Sequence, residues 1–357
     1  MERTHPGPEV RDRFVAVVIV NYRTAGLTKT CLASLATERC SFGHFQVLVV
    51  DGGSGDGSAE ELEFFIGQPE YRDWVELLPM KLNGGFGWAN NQAIRCLMQR
   101  REQPNFILIL NPDAEAEPGA VRALAEYLEQ HPSAAAVGSQ LVEPDGSLSG
   151  SAFSFPTIRG EFARGVRTRL FDRLLKVPPL ELRTMRAAEV DWVTGASVMF
   201  RSDALRQVGL FDEGFFLYHE EIELMWRLRQ AGWTIATEPL SRVRHVGGAA
   251  TGVRSAAKPT QLVRRTPVYW YRSRARMFSQ MHGRLFAALA YASWLSGHLT
   301  WRLRRGLGLA PGTKRTDHEL RDQLTLAWPR SADAEAAPGR IDAVVGSPPT
   351  WMTREGF

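Results

Sequence analysis

Three hydrophobic runs, each ending on polar residues, constrain this chain more than any other feature. They are FVAVVIVNY (14–22), FQVLVVD (45–51) and NFILILNPD (105–113). The runs are continuous rather than alternating, which is typical of strands buried on both faces of a parallel sheet. Segments with helical spacing and glycine turns separate them. This alternation predicts an α/β protein with a right-handed, open, mostly parallel sheet flanked by helices.

The polar residues at the strand ends are the first candidates for a site, because ligands of open α/β sheets bind beyond the carboxyl ends of the strands. Asn21, Tyr22, Asp51 and Asp113 all fall there. Asp51 can accept hydrogen bonds from a base or ribose, although an Asp before GGSGDGS also forms an ordinary turn.

The segment LNPD (110–113) ends the third run on Asn111 and Asp113. Oxygen ligands at a strand end suit Mg²⁺ or Mn²⁺, which bridges diphosphate oxygens and neutralises a leaving group. An Asn-Pro-Asp turn explains the same four residues equally well.

A glycine loop, NGGFGWANN (83–91), leads into a predicted helix. Its spacing is not GxGxxG, and the chain contains no GxxxxGK[ST], so neither a dinucleotide fingerprint nor a P-loop is predicted. Backbone N–H groups near Gly85, together with Asn91, can still hold a phosphate or sugar. Asn91 also fits a simple capping role.

The sequence HEEIE (219–223) places three carboxylates at a predicted helix N-terminus, where the helix dipole alone favours acids. Closely spaced carboxylates also raise one another's pKa, which suits a general base. In DWVTGA (191–196), Trp192 fits either the core or a platform for a sugar ring. His245, before a Gly-Gly pair, fits a metal ligand or an ordinary loop residue.

The 357 residues are 44% hydrophobic and include three cysteines without CxxC spacing. This pattern fits a reducing compartment and argues against a structural zinc site. The polar N-terminus lacks an apolar signal segment, so a cytoplasmic protein is expected. Residues 254–315 hold 13 Lys or Arg and no Asp or Glu. Such a block suggests an anionic partner, although no nucleic-acid motif is present.

The organisation expected from these patterns is a tail (1–13), one large domain (14–252), a basic amphipathic helical extension (253–310) and a disordered, Ala/Pro/Gly-rich tail (331–357). The large domain divides into a nucleotide-sugar-binding half (14–113) and an acceptor half (114–252). The apolar stretch 285–301 is too short and too polar for a transmembrane span. A helix in the membrane interface and a helix packed on the domain are equally good interpretations.

The order of these motifs resembles the inverting glycosyltransferases of family 2, which have the GT-A fold, and in particular their bacterial rhamnosyltransferase-like branch. The resemblance covers VVIVNY, VVDGGSGDGS, NGGFGWANN, LNPDA, DWVTGA, the segment 209–233, the His245 loop and an RSR element (272–274), about two thirds of the chain. An ordered set of motifs is far more specific than any one of them.

The resemblance implies a role for each matching residue. Donor binding falls to Asn21, Tyr22, Asp51, Gly85, Asn91, Asn111 and Asp113. Asp113 and His245 are implied as ligands of Mg²⁺ or Mn²⁺. Trp192, Gly195 and Glu220 are implied to shape the acceptor site.

The general base is the point at which this chain departs from the family, which usually has Glu-Asp where Glu220 and Glu221 stand. Glu221 is therefore the base candidate, with Glu220 as the alternative. The longer side chain moves the carboxylate by about one C–C bond, and a misplacement of about 1 Å affects rate strongly. One base and no covalent nucleophile imply a single displacement with inversion.

The implied reaction transfers a sugar from a nucleotide-sugar to a hydroxyl of a lipid-linked or growing surface polysaccharide, by a peripheral protein on the inner face of the plasma membrane. dTDP-rhamnose is the donor that the resemblance favours. UDP-sugars remain open, as in a galactofuranosyl or glucosyl transferase. A different interpretation is a non-catalytic glycan- or nucleotide-sugar-binding protein of the same fold.

Overall fold

The protein is described by a computed structural model that covers residues 13–168, 181–182, 186–247, 265–309 and 318–353. The strands, in chain order, are β1 (Phe14–Asn21), β2 (His44–Asp51), β3 (Val75–Pro79), β4 (Phe106–Leu110), β5 (Ala114–Ala116), β6 (Ala134–Val142), β7 (Ala152–Phe153), β8 (Glu181–Leu182), β9 (Ala188–Val190), β10 (Trp192–Val193), β11 (Ser197–Arg201) and β12 (Thr234–His245).

Helices separate or follow these strands. They are α1 (Ala25–Glu38), α2 (Ser58–Ile66), α3 (Phe86–Met98), α4 (Ala120–Gln130), α5 (Ile158–Val166), α6 (Ser202–Val208), α7 (Glu220–Gln230), α8 (Val268–His282), α9 (Arg284–Gly306), α10 (Glu319–Leu326) and α11 (Thr350–Thr353). Short 3₁₀ helices lie at Arg39–Ser41 and Ser331–Ala334.

The main sheet has the order β3-β2-β1-β4-β11-β6-β12-β5, and β9 pairs with β12. Strands β1 to β4 are mutually parallel where they pair, whereas β11 runs antiparallel to both β4 and β6. The expected α/β class with a mostly parallel open sheet is therefore confirmed. A small antiparallel sheet, β10-β7-β8, lies beside it.

The three hydrophobic runs are buried because helices cover both faces of the sheet. In β1 and β4 every side chain except Val20 is buried, and the two strands pair in parallel register. Odd positions of β1 face the core that contains α1 and α4, and even positions face the core that contains α3. Two-sided burial is what a continuous rather than alternating apolar pattern requires.

The helical extension consists of two helices, α8 and α9, which meet at Gly283 with φ +85°. Helix α9 packs closely on α5 through small residues. A Cβ on Gly297 would lie 2.3 Å from the carbonyl oxygen of Phe162, and one on Gly165 would lie 2.4 Å from that of Trp294. Glycine at both positions is what allows the two backbones to approach.

Arginines of the basic block pair with acids of the large domain and of α10. Arg276 binds Asp212 at 2.8 Å, and Arg274 pairs with Glu161. Arg265 binds Asp322 at 2.5 Å. Part of the block therefore serves internal contacts. None of the helices among the described residues has the length and hydrophobicity needed to cross a bilayer.

The C-terminal region differs from the expected disordered tail. Residues 337–352, here called the C-terminal strap, run along the outer face of α3 and hydrogen-bond to it. Residues 354–357, the N-terminal residues 1–12, and residues 253–264 and 310 of the predicted extension lie outside the described part of the chain.

Candidate active site

A cavity of about 510 Å³ opens at the carboxyl ends of β1 and β4. Its wall is built from the first residues after these strands, the glycine loop, the start of α7 and the end of β12. The sequence-predicted residues on this wall are Tyr22, Gly85, Asn111, Asp113, Gly195, Glu220, Glu221 and His245. The tertiary fold thus brings six separate motifs into one cavity.

Asp51 is held below this wall by a polar network that Asn21 completes. Asn21 Nδ2 donates to Asp51 Oδ1 at 2.7 Å, and Asn21 Oδ1 accepts from the hydroxyl of Thr28 at 3.0 Å. Ser54 donates its hydroxyl to Asp51 Oδ1 at 2.6 Å and its backbone N–H to Oδ2 at 3.0 Å. Both Asn21 and Asp51 are buried. The cavity is lined by their chain neighbours Tyr22 and Gly52, and not by Asn21 and Asp51 themselves.

Asp113 and His245 converge on one point of the cavity. Asp113 follows β4, and His245 ends β12, where it pairs with Ala114 of β5. Their Oδ1 and Nε2 atoms lie 3.2 Å apart, and Asn111 Nδ2 lies 3.3 Å from the same Nε2. The pairing of β5 with β12 is what brings residues 132 positions apart in sequence into contact.

The Asp113–His245 pair fits a divalent cation. Two ligand atoms at right angles around an ion with bonds of about 2.1 Å lie about 3.0 Å apart, close to the observed separation. Within the described residues no group of three His, Cys, Asp or Glu side chains forms a closed metal cage. Such an open donor set is typical of ions that keep water and substrate phosphate oxygens as ligands.

Glu220 and Glu221 begin α7 and reach the cavity as neighbours, Glu220 buried and Glu221 half-buried. The Oε2 atom of each is buried and has no hydrogen-bond partner among the described atoms. Burial raises the pKa of Glu221 to about 7. Burial, and then the charge of Glu221, raise the pKa of Glu220 well above its usual value. A carboxylate with a pKa near 7 suits general-base catalysis at neutral pH.

The two carboxylates have different surroundings. A Cβ on Gly195 would lie 3.9 Å from Glu221 Cβ, so Glu221 stands across from the DWVTGA loop. A Cβ on Gly87 would lie 3.4 Å from Glu220 Cγ, so Glu220 lies against α3. The third acid of the motif, Glu223, points away and binds Arg227 at 2.6 Å. Glu223 therefore has a structural partner that Glu220 and Glu221 lack.

The turn before α7 is strained. Tyr218 and His219 have φ values of +70° and +71°, a left-handed conformation that costs non-glycine residues energy. Burial lowers the pKa of His219 well below its usual value, which favours the neutral imidazole. Its ring lies 5.5 Å from that of Trp270 on α8. The strained turn before α7 is thus packed against α8 through His219 and Trp270.

Besides Asn21 and Asp51, two more sequence-predicted residues lie away from the cavity wall. Asn91 is fully buried, donates to the carbonyl of Phe211 at 2.8 Å and accepts from its N–H at 3.0 Å. Trp192 donates its indole N–H to the carbonyl of Ser154 at 3.1 Å and stacks on Phe153 at 4.3 Å. In this structure both side chains make internal contacts.

An aromatic wall in the cavity was not foreseen from the sequence. It consists of Phe216, Tyr218 and Tyr269, with ring centroids 5.3 Å (Phe216–Tyr269) and 6.0 Å (Tyr218–Tyr269) apart. The run FFLY before the carboxylates was a signal for the first two residues. Tyr269 could not be placed because it comes from α8, which only folding brings to the site.

The chain is similar in sequence to known glycosyltransferases. The model of the family "Glycosyl transferase family 2" matches residues 16–209. An N-acetylglucosaminyl-diphospho-decaprenol L-rhamnosyltransferase of Mycobacterium tuberculosis is 29% identical over 305 residues, which cover 82% of this chain and 90% of the relative. Rhamnosyltransferase WbbL of Escherichia coli is 27% identical over 45% of this chain and 60% of its own.

A solved structure supports the fold. The mannosyltransferase PcManGT from Pyrobaculum calidifontis, in complex with GDP-Man and Mn²⁺, superposes with a TM-score of 0.52 over 85% of this chain and 76% of its own, at 16% identity. The matched family model spans more than half of the chain, and the fold is the GT-A fold. The chain therefore belongs to glycosyl transferase family 2 and is a glycosyltransferase.

Proposed function

We propose that this glycosyltransferase transfers rhamnose from dTDP-rhamnose to a hydroxyl of a polyprenyl-diphosphate-linked glycan, with inversion at the anomeric carbon. The observation that carries the proposal is the single cavity shared by Glu221 and the Asp113–His245 pair. The choice of sugar and acceptor rests on the mycobacterial L-rhamnosyltransferase, whose alignment extends through most of both chains.

The nucleotide half of the donor is assigned to the end of β1 and β2. Tyr22 and Gly52 line the cavity there, and the buried Asn21–Asp51 pair supports them from below. The diphosphate is assigned to the space between the glycine loop and Asp113, at the N-terminus of α3, where the positive end of the helix dipole favours an anion. Asn91 joins α3, which follows this loop, to the backbone of Phe211.

Asp113 and His245 are the residues that would hold Mg²⁺ or Mn²⁺, with Asn111 beside them. When bound, such an ion neutralises the charge that develops on the departing diphosphate.

Glu221 is assigned as the general base that takes the proton of the acceptor hydroxyl. The freed oxygen attacks the anomeric carbon from the face opposite the nucleotide, which inverts its configuration. Burial and the charge of Glu221 raise the pKa of Glu220, which lies against α3, and this favours the uncharged form of Glu220 beside the base. Gly195 leaves room for the acceptor beside Glu221, and the aromatic wall provides an apolar face for a sugar ring.

Helix α9 is assigned as the contact with an anionic membrane surface. Its outward face carries a stripe of leucines at helical spacing, among them Leu285, which is 77% exposed, and Leu303, which is 71% exposed. Arg284, Arg302 and Arg305 are exposed beside this stripe. An apolar stripe with flanking arginines is typical of helices that lie in the interface of an anionic bilayer. A polyprenyl-linked acceptor would then meet the enzyme at the inner face of the plasma membrane.

A donor screen tests the reaction. Thermal unfolding with Mn²⁺ and each of dTDP-rhamnose, UDP-galactofuranose, UDP-glucose and UDP-GlcNAc identifies the ligand that stabilises the fold most. Transfer from that donor to a synthetic GlcNAc-diphosphate-lipid is then followed, with the product configuration determined by NMR. Stabilisation by dTDP-rhamnose and an inverted product are expected. Transfer only from a UDP-sugar, or retention of configuration, contradicts the proposal.

A further inference from the structure

The C-terminal strap lies along one face of α3, and from Ala343 onward it runs in the opposite direction to the helix. Its contacts recur about once per helical turn, at the spacing that places residues on one face. In order, Gln99 Nε2 donates to the carbonyl of Ile341 (2.6 Å), Arg95 Nε to that of Arg340 (2.7 Å), Gly346 N–H to Gln92 Oε1 (2.8 Å), and Trp88 Nε1 to the carbonyl of Ser347 (2.8 Å). The strap therefore covers the whole length of the helix that the glycine loop begins.

The last contact of this series falls on the glycine loop itself. The indole N–H of Trp351 donates to the carbonyl of Gly84 at 3.1 Å. Its ring meets that of Phe216 edge-on, with centroids 5.3 Å apart. The glycine loop and the segment that carries the carboxylates meet along an interface, here called the seam. Trp351 thus contacts both sides of the seam.

That seam is closely packed. Phe86 N–H donates to the carbonyl of Phe216 at 3.1 Å, and a Cβ on Gly85 would lie 1.9 Å from the same oxygen. Gly85, Phe86 and Phe216 all line the cavity. A displacement of the glycine loop would therefore change the shape of the cavity on two sides.

The beginning of the strap is fixed to the other side of the seam. Gly339 and the segment before the carboxylates exchange backbone bonds, from Gly339 N–H to Phe211 O and from Leu210 N–H to Gly339 O, each at 2.9 Å. Ala337 N–H donates to Asp212 Oδ2 at 2.9 Å, and Asp212 is also bound by Arg276 of α8. One end of the strap is thus anchored on a buried ion pair, and the other end lies on the loop.

From these contacts we propose that the strap positions the glycine loop for donor binding and that Trp351 is a positioning residue in this role. A loop that is already held in its bound conformation loses less conformational freedom when a ligand binds, so affinity rises. The family model ends at residue 209, so the strap is an element of this site that lies outside the matched domain. The inference rests on the donor site proposed above.

Kinetics of two tryptophan variants test the proposal. Trp351→Phe keeps an aromatic ring against Phe216 and removes the N–H that binds Gly84. We expect KM for the nucleotide-sugar to rise about five- to tenfold, the effect of one lost hydrogen bond, with kcat within about twofold of wild type. Trp328→Phe is the matched control, because Trp328 is 57% exposed and its ring contacts Tyr291 on α9. This control keeps the wild-type KM and kcat.

Hydrogen exchange without any substrate provides a second measurement. Trp351→Phe should speed exchange of the Phe86 amide, which donates across the seam to Phe216, and of the Gly85 amide, which donates to Asn83 Oδ1 within the loop. The midpoint of thermal unfolding should not change. Donor KM equal to wild type overturns the proposal, as does a loss confined to kcat or to acceptor KM. Unchanged loop exchange overturns it as well. If the wild-type enzyme transfers no sugar, the proposed function fails, whereas the exchange measurement still decides whether the strap holds the loop.

Discussion

Asp113 Oδ1 lies 3.2 Å from His245 Nε2, although one residue follows strand β4 and the other ends strand β12. The pair exists because β5 and β12 are antiparallel neighbours whose register places His245 opposite Ala114. Each residue alone is compatible with an ordinary turn or loop. Their convergence in the cavity is what makes them candidate ligands of one cation.

Asp113→Asn should reduce transfer by about 100-fold or more, because the neutral amide is a poor ligand for a hard divalent cation. His245→Ala should raise the Mn²⁺ concentration needed for half-maximal activity. Both are measured as initial rates over a Mn²⁺ titration after EDTA treatment. Asp73→Asn serves as a matched control, since its carboxylate is largely exposed and pairs only with Arg72 among the described residues. Full activity of Asp113→Asn in EDTA would contradict the metal assignment.

Glu221→Gln should lower kcat by about 10²- to 10⁴-fold, because an amide cannot accept the acceptor proton. Nucleotide affinity, measured by calorimetry with Mn²⁺, should stay within about twofold. Glu223→Gln is the comparison variant within the same motif. Because Glu223 binds Arg227, this change should reduce stability. If Glu220→Gln stops turnover and Glu221→Gln does not, the base is Glu220.

The pH dependence of kcat should follow the pKa of the buried pair. Because burial raises the pKa of Glu221 to about 7, the base becomes active as pH increases through that value. The rate should rise about tenfold per pH unit below pH 7 and level off above it. Rates measured from pH 5 to 9 with saturating donor provide the test. A plateau that begins near pH 5 would show that the base has an ordinary carboxyl pKa.

Stability should decrease over the same pH range. At pH values between about 4.5 and 7 the folded protein holds a proton on Glu221 that the unfolded chain has released. Unfolding therefore releases protons, and the free energy of unfolding falls as pH rises. Glu221→Gln removes this dependence, so the variant should gain stability relative to wild type at pH 8 but not at pH 4.5. Urea unfolding at the two pH values measures the difference.

Gly85→Ala should impair the site although it adds only one methyl group. Gly85 has φ +91°, and a Cβ there would lie 1.9 Å from the carbonyl oxygen of Phe216. We expect a loss of about 1–3 kcal/mol of stability and a raised donor KM. Gly26→Ala is the control, because no atom lies within 4 Å of its added Cβ and the residue is helical. That change should leave KM unaltered and increase stability slightly.

Replacing Leu285 and Leu303 by Ser should weaken binding to vesicles that contain anionic lipid, because both side chains are exposed on the outer face of α9. Flotation with vesicles of phosphatidylglycerol and phosphatidylcholine measures the bound fraction. Phe64→Ser on α2 is the control, because it changes an apolar residue that is as exposed as the two leucines. Leu97→Ser would not serve, because Leu97 is fully buried. Equal binding of the leucine variant and wild type would contradict the membrane assignment.

The sequence by itself determined the class of fold and the set of motifs. Continuous Val- and Ile-rich runs are buried on both faces wherever they fold, so β1, β2 and β4 and their polar ends follow from local pattern alone. The order of the motifs was enough to recognise the family. These properties depend on residues close together in the chain, where periodicity carries the information.

Tertiary structure alone decided which residues share the cavity. Asn91 and Trp192 match family motifs, but packing directs their side chains to internal partners. Tyr269 and the strap with Trp351 reach the site from segments that the sequence predicted to be a basic helical extension and a disordered tail. Contacts between residues up to 267 positions apart depend on how α3, α7 and α8 pack against one another, and no local pattern records that packing.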